Sequence, residues 1–190
     1  MELVQDDVIQ QLHRQAEEQL DYLENQLRPL PADVLNQKPD PKSWSLLECL
    51  EHLNILGKIY LRGFRQKAAS GTARAETTYR TGWLGNYAAQ SMLPKESGKL
   101  PYKLQALPFM TAAKSELDKQ AVLNEQATQL RDFLSLLDEI ENVDLGRNRV
   151  ATSLGRWLKF KLGDAMRFYL NHQQRHYLQL QRTRSRVVPD

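Results

Sequence analysis

Residues 162–182 read LGDAMRFYLNHQQRHYLQLQR and indicate the fold more clearly than any other stretch of the chain. Apolar side chains recur in this stretch every three or four residues, which is the spacing of one face of an α-helix. Two histidines, His172 and His176, fall on the same face one helical turn apart. The sequence therefore predicts a helix from about residue 161 to residue 183 whose apolar face carries both imidazoles.

Three further segments show helical periodicity, at about residues 6–27, 45–70 and 115–141. The second begins at a capping box, S-x-x-E, formed by Ser45 and Glu48 just before an apolar run. Four prolines between the first two segments stop the first helix, because proline is not tolerated in a helix interior. No segment alternates apolar and polar residues over a sustained length, so we predict an all-α fold.

A long connection, about residues 71–114, separates the second and third predicted helices. It is rich in Gly, Pro, Thr and Lys, and its residues 82–92, GWLGNYAAQSM, are compatible with a short helix. In a helical bundle such a connection can cross between helices that are not antiparallel neighbours. We predict a four-helix bundle with a long crossover connection between helices 2 and 3. It forms one domain, residues 1–190, with a basic tail at about 183–190.

Composition argues against several classes of protein. Twenty-six basic and 23 acidic residues leave a net charge of +3, too small to attract nucleic acid strongly. No stretch approaches 18 consecutive apolar residues, and the start, MELVQDDVIQQ, lacks the pattern of a signal peptide. The single cysteine, Cys49, precludes an internal disulfide and suits a reducing compartment. We expect a cytoplasmic protein that binds neither nucleic acid nor membrane.

The histidines form a candidate metal site. The spacing of His172 and His176 brings two imidazole nitrogens within reach of one ion, at about 2.0–2.1 Å from each. His52, in ECLEHLN on the second helix, is the candidate third ligand, because metal sites in bundles use inward side chains of facing helices. The alternative is three partly buried histidines that are hydrogen-bonded within an ordinary core. His13 is expected to be a surface residue.

Three neutral imidazoles would leave a divalent ion its full charge, able to ionise a water or a thiol at an open fourth position. Neighbouring residues have simpler explanations. Cys49 is interpreted as a small core residue, with a fourth metal ligand as the alternative. Glu48 is explained by the capping box rather than by support of an imidazole. Gln179 could orient a ligand or water, or face a polar group of a neighbouring helix, and no residue is identified as a general base.

Two motifs resemble those of a known family. Residues 44–54, WSLLECLEHLN, resemble a signature of tryptophan, serine cap, acidic residue and His-Leu pair, and residues 162–182 resemble a closing helix with H-x-x-x-H followed by Gln. Together with the proline-rich joint before Trp44, they are similar to the DinB/YfiT-like superfamily over nearly the whole chain. The resemblance implies a four-helix bundle in which the matching residues bind a divalent ion, usually zinc or nickel. These residues are His52, His172 and His176.

The resemblance also implies an activity. Members with known activity are metal-dependent transferases or isomerases that use a low-molecular-weight thiol such as bacillithiol or mycothiol, and many members are homodimers. Activation of a thiol for attack on a small electrophile is therefore implied here. Two alternatives stay open: a metal-binding module without catalysis, serving in stress response or partner binding, and a metal-dependent hydrolase. An acid or base beside the open metal position would help to separate them, and the sequence identifies none.

Overall fold

A computed structural model describes residues 1–94, 111, 116–153 and 155–188. The helices of these residues are α1 Gln5–Tyr22, α2 Ala32–Asn36, α3 Leu46–Ser70, α4 Trp83–Ser91, α5 Lys119–Glu139 and α6 Leu162–Val187. A π-helical turn, Leu23–Leu27, continues α1. Two antiparallel two-stranded sheets pair β1 Glu2–Val4 with β2 Thr78–Arg80, and β3 Arg149–Thr152 with β4 Gly155–Lys161.

The mostly helical fold predicted from the sequence is confirmed, because α1, α3, α5 and α6 correspond to the four predicted segments. Helix α3 begins where the capping box places it. The Ser45 hydroxyl accepts a hydrogen bond from the Glu48 backbone N–H at 3.1 Å, and the Glu48 carboxylate accepts one from the Ser45 N–H at 2.9 Å. Within the described residues, no helix is long and apolar enough to cross a membrane.

The ends of the last two long helices differ from the prediction. The Asp118 side chain accepts a hydrogen bond from the Ala121 N–H at 2.7 Å, so α5 begins at Lys119. The predicted start near residue 115 lies outside the described residues. Helix α6 continues to Val187, so most of the predicted basic tail is helical. Val187 is buried, and its packing extends the helix beyond the polar residues that suggested a tail.

The prediction of an all-α fold missed both small sheets. In the β3–β4 hairpin, Val150 pairs with Phe160, and both side chains are buried in the core. Strand β3 has four residues, too few for an alternating pattern to be distinguished from chance. Strand β2 is part of the long connection and pairs with the N-terminal strand β1, a long-range contact that no local pattern indicates.

The long helices pack in a defined order. Helix α1 packs against α5 and α6, and α3 packs against the same two helices. The predicted crossover connection is described only as far as residue 94 and again at residue 111. Its residues 95–110 and 112–114 lie outside the described part of the chain. The described part includes α4, the short helix that the sequence suggested for residues 82–92, and α4 packs on α6.

Buried apolar side chains form two clusters. One is rich in aromatic rings, among them Tyr60, Phe64, Phe133 and Tyr169, with centroids 5.2–6.1 Å apart. The other is rich in leucines from α3, α5 and α6 and includes Cys49. Full burial of one such large apolar side chain contributes about 1.5–3 kcal/mol. Between them the clusters fix how α3 and α6 lie together, and that arrangement positions the histidines.

Candidate metal centre

Helices α3 and α6 bring the three predicted histidines together. The His172 Nε2 atom lies 3.2 Å from Nε2 of His176 and 3.5 Å from Nε2 of His52. Each residue offers one ligand atom, and these atoms lie within 4.8 Å of one another. The first distance follows from the one-turn spacing on α6, whereas the second depends on how α3 packs against α6.

Two of the three separations match those around a single divalent ion. Tetrahedral ligands about 2.0–2.1 Å from zinc lie about 3.3–3.4 Å from each other. The two observed separations, 3.2 and 3.5 Å, fall on either side of that value. The three rings pack with centroids 4.6–5.3 Å apart. The group therefore has the size of a three-histidine metal centre.

Gln179 orients one of these rings. Its Oε1 atom lies 3.1 Å from Nδ1 of His176 and can only accept a hydrogen bond, so this contact favours the tautomer with the proton on Nδ1. The lone pair of His176 is then on Nε2, which faces His172. A partner on the outer nitrogen is the usual arrangement for a metal-binding histidine. Gln179 was expected either to orient a ligand or water or to face a polar group of a neighbouring helix. Its contact with His176 supports a role at this site.

Burial keeps the imidazoles of His172 and His176 neutral. His52 and His176 are buried and His172 is half-buried. Loss of solvent around His176, with a smaller effect from the charge of His52, lowers its pKa to about 3. Burial also lowers the pKa of His172 well below its usual value, and the two other histidines add to the effect. Both residues thus present the neutral, lone-pair form that binds metals.

Residues 15–180 match the DinB superfamily. The chain belongs to the DinB superfamily. The match spans all three histidines, the whole of α3 and α5, most of α6 and the C-terminal part of α1. No curated protein and no solved structure matches the chain closely enough to count as similar.

Aromatic rings surround the histidines of this DinB-superfamily protein. Trp44 stacks on His176 with centroids 6.1 Å apart and lies 5.1 Å from His52. Phe168 stacks on His172 at 6.1 Å. These contacts restrict ring rotation and limit the access of water. Trp44 was recognised only as part of a motif and Phe168 not at all, although Phe168 lies four residues before His172 on the same helical face.

Arg175 is a second residue that the sequence analysis missed. Its side chain is buried, and its positive charge contributes to the lowered pKa values of His172 and His176. Burial in turn lowers the pKa of Arg175 itself. Its position in the sequence could have indicated this role, because Arg175 follows His172 by three residues and so lies near the histidine-bearing face of α6. A cation at this place favours an anionic occupant of the centre.

Cys49 lies beside the site without joining the ligand group. Its Sγ atom is 3.6 Å from Nδ1 of His176, the nitrogen that points away from the other rings. Burial raises the pKa of the thiol above its usual range, so the sulfur stays protonated. The interpretation of Cys49 as a core residue fits this position better than that of a fourth ligand.

Glu48 and His13 make contacts that do not involve the three-histidine group. Glu48 completes the capping box, and its carboxylate also forms an ion pair with Lys38 at 2.8 Å. His13 is partly exposed and lies 3.0 Å from a carboxylate oxygen of Asp138. Neither is a member of the three-histidine group.

Proposed function

We propose that this protein binds one divalent ion, zinc or nickel, on His52, His172 and His176. With it the protein would transfer a low-molecular-weight thiol, of the bacillithiol or mycothiol type, to small electrophiles. The observation that carries the proposal is the convergence of three imidazoles without a fourth side chain of the described residues in the group. Three protein ligands leave one tetrahedral position for an exogenous ligand.

The side chains of the site have separate tasks in this proposal. A bound ion supplies Lewis acidity, which lowers the pKa of a ligand at the open position. Gln179 holds the His176 ring in the tautomer that presents Nε2. Trp44 and Phe168 restrict the rings and exclude water. The buried positive charge of Arg175, which acts on His172 and His176, would favour an anionic ligand at the centre.

The surroundings favour a thiol over a water molecule as the activated group. A free thiol has a pKa of about 8.5, so a small shift ionises it at neutral pH. Bulk water, with a pKa near 15.7, needs a much larger shift, and hydrolysis commonly needs a general base as well. Besides the histidines themselves, the charge that acts on the pKa values of His172 and His176 is Arg175, and no described carboxylate contributes.

The proposal includes the wider expectations from the sequence. The packing of α1 and α3 against both α5 and α6 supports a single four-helix-bundle domain whose crossover joins α3 to α5. We further propose a cytoplasmic homodimer that binds neither nucleic acid nor membrane. Light scattering of the purified protein tests the dimer, and a mass of one chain, 22.0 kDa, would contradict it.

Metal analysis is the first test of the function. Protein purified without chelators should contain about one divalent ion per chain, bound by the three imidazoles. Chelation should lower the melting temperature but leave the helical content high, because the apolar clusters do not depend on the ion. Protein that neither retains nor binds zinc or nickel would refute the metal centre.

Cobalt substitution tests the thiol. Sulfur bound to cobalt gives an intense charge-transfer absorption that nitrogen and oxygen ligands lack. A small thiol added to the cobalt protein should raise this band with an apparent pKa below the free value of about 8.5. The experiment uses a Cys49→Ser background, because Cys49 lies close to His176. His172→Ala in that background is the control and should show no band.

Turnover separates the three candidate functions. The loaded protein should accelerate attack of the thiol on a chromogenic electrophile such as chlorodinitrobenzene. Ester hydrolysis that is independent of thiol would identify a hydrolase. Metal binding without the sulfur band and without turnover would identify a module that only binds metal.

A further inference from the structure

A second concave site lies between α3 and the β3–β4 hairpin. Its cavity has a volume of about 570 Å³. One wall is a single face of α3, where five lining residues from Ile59 to Lys67 follow three- and four-residue helical spacing. The other wall is formed by strand β3 together with Lys159 of β4. None of these lining residues is among the described neighbours of the histidine rings.

Four positively charged side chains line this groove: Arg62 and Lys67 from α3, Arg149 from β3 and Lys159 from β4. No lining residue is acidic among those described. None of the four side chains forms an ion pair or hydrogen bond with a described residue. The groove therefore concentrates positive charge that the described protein does not neutralise.

This lack of acidic partners is local to one face of α3. Lys58 and Arg65, on the same helix, form ion pairs with Glu125 and Asp132 of α5. The groove-facing cations meet the hairpin instead, which brings further cations. Repulsion between these like charges is screened by water and salt at the surface, and binding of an anion would reduce it further.

The packing of the hairpin creates the cluster. Gly63 allows the close approach, because a Cβ atom at that position would come within 2.6 Å of Val150 Cγ1. Val150 and its partner Phe160 are buried and hold the hairpin against the core. Their strands place Arg149 and Lys159 in the groove beside Arg62. The cations are thus held in position by buried neighbours, although the charged groups themselves lie near the surface.

We propose that this groove binds a small molecule that carries at least two negative charges, as phosphate or carboxylate groups. Its volume lies within the range of about 300–1,000 Å³ typical of small-molecule sites. The planar guanidinium groups of Arg62 and Arg149 suit bidentate contacts to either group. Gln66 adds a side-chain amide to the lining. The site is independent of the metal centre and of the reaction proposed there.

A titration of two probe anions into the full-length protein tests the proposal. Inorganic pyrophosphate and citrate are titrated separately by isothermal calorimetry at low ionic strength, where charge contacts are least screened. At least one should bind saturably, at about one molecule per chain. Selectivity for pyrophosphate would assign phosphate groups and selectivity for citrate would assign carboxylates. Similar binding of both supports the proposal equally.

Matched double variants localise the binding. Arg62→Gln/Arg149→Gln should weaken it by about tenfold or more, because two charged contacts are lost. Arg14→Gln/Arg80→Gln removes the same charge from exposed positions outside the groove and should change affinity by less than about twofold. Zinc stoichiometry and the melting temperature of each variant check that the fold is intact.

Three results would overturn the proposal. The first is the absence of saturable binding of either anion to the unaltered protein. The second is an equal loss in both double variants, which would indicate attraction by net charge alone. The third is a single-stranded oligonucleotide that binds more tightly than both anions and loses affinity in Arg62→Gln/Arg149→Gln, which would assign the groove to nucleic acid.

Discussion

The three-histidine group and the cationic groove differ in how far their titratable side chains are buried and in whether those side chains are charged. His176 is buried among aromatic rings, and burial lowers its pKa until it is neutral. Arg62 and Arg149 are exposed and keep their charge, without acidic partners among the described residues. Both sites use α3, His52 at one point and Arg62 about three turns further on.

The difference shows which ligand each environment suits. A buried cluster of neutral nitrogens binds a cation, because the ion supplies the charge that the protein has removed. An exposed cluster of cations binds an anion, because the groups remain solvated and charged until the ligand arrives. If both proposals hold, burial decides whether each site takes a cation or an anion. Variants at the two sites can test each proposal separately.

The largest expected effect is the loss of an imidazole. His52→Ala, His172→Ala and His176→Ala should each weaken zinc affinity by about 100-fold or more, because only two protein ligands remain. Competition with a chromophoric chelator measures it. Binding of pyrophosphate in the groove should stay unchanged and serves as the internal control. A variant at His52 with normal zinc affinity would remove α3 from the metal centre.

A smaller effect is expected for the residue that orients His176. Gln179→Leu leaves the imidazoles in place but removes the acceptor for the Nδ1 proton. Loss of such a partner typically weakens metal affinity about 10–100-fold. Gln174→Leu, on the same helix and without a ring contact described for it, is the matched control. Equal zinc affinities for the two variants would show that Gln179 does not support the site.

A change at Gly63 should lower anion affinity in the groove without changing zinc affinity at the histidines. Gly63→Ala places a Cβ atom against Val150, and such overpacking costs about 1–3 kcal/mol, partly offset by better helix propensity. Thermal unfolding should show lower stability, and anion affinity should fall while zinc affinity does not. Gly63→Ala/Val150→Ala restores the space and should recover anion binding. If the double variant recovers neither stability nor anion affinity, the close contact between residue 63 and residue 150 does not position the hairpin.

The smallest expected effect is on the pH dependence of stability, and it concerns Asp164, a buried carboxylate that belongs to neither site. Burial raises the pKa of Asp164 despite hydrogen bonds from Gly82 and Tyr79. The folded state then binds the proton more tightly than the unfolded state. The contribution of Asp164 to the free energy of unfolding therefore falls as pH rises through the unfolded and then the folded pKa.

The Asp164→Asn variant has no carboxyl group at this position, so its free energy of unfolding should not fall with pH for this reason. Its stability relative to the unaltered protein should improve as pH rises above the ordinary Asp pKa of about 3.9. Urea unfolding at several pH values measures the difference. Asp7→Asn, in the exposed first turn of α1, is the matched control. A relative stability that worsens toward neutral pH would mean that the Arg167 charge and the Gly82 N–H outweigh burial.

Local interactions account for what the sequence predicted well. The start of α3 depends on Ser45 and Glu48, three residues apart, and the spacing of His172 and His176 depends on one helical turn. The family resemblance rests on these same two motifs, and the match over residues 15–180 confirms it. A pattern that lies within a few residues is visible in the chain before it folds.

Contacts between distant segments explain what the sequence left open. That His52 reaches His172 across 120 positions depends on how α3 packs against α6. Trp44 covers two imidazoles from a proline-rich joint that has no periodic signal. The strand β3 was missed because four residues carry too little pattern.

The sequence by itself determined the long helices, the polar cap that starts α3 and the pair of histidines on one face of α6, because each depends on neighbours along the chain. Only the tertiary structure decided that His52 reaches the pair, which rings enclose it and that Arg62 and Arg149 face the same groove. Residues far apart in the chain meet through the packing of whole elements. That packing is set by buried apolar surface summed over many side chains, which no single motif contains.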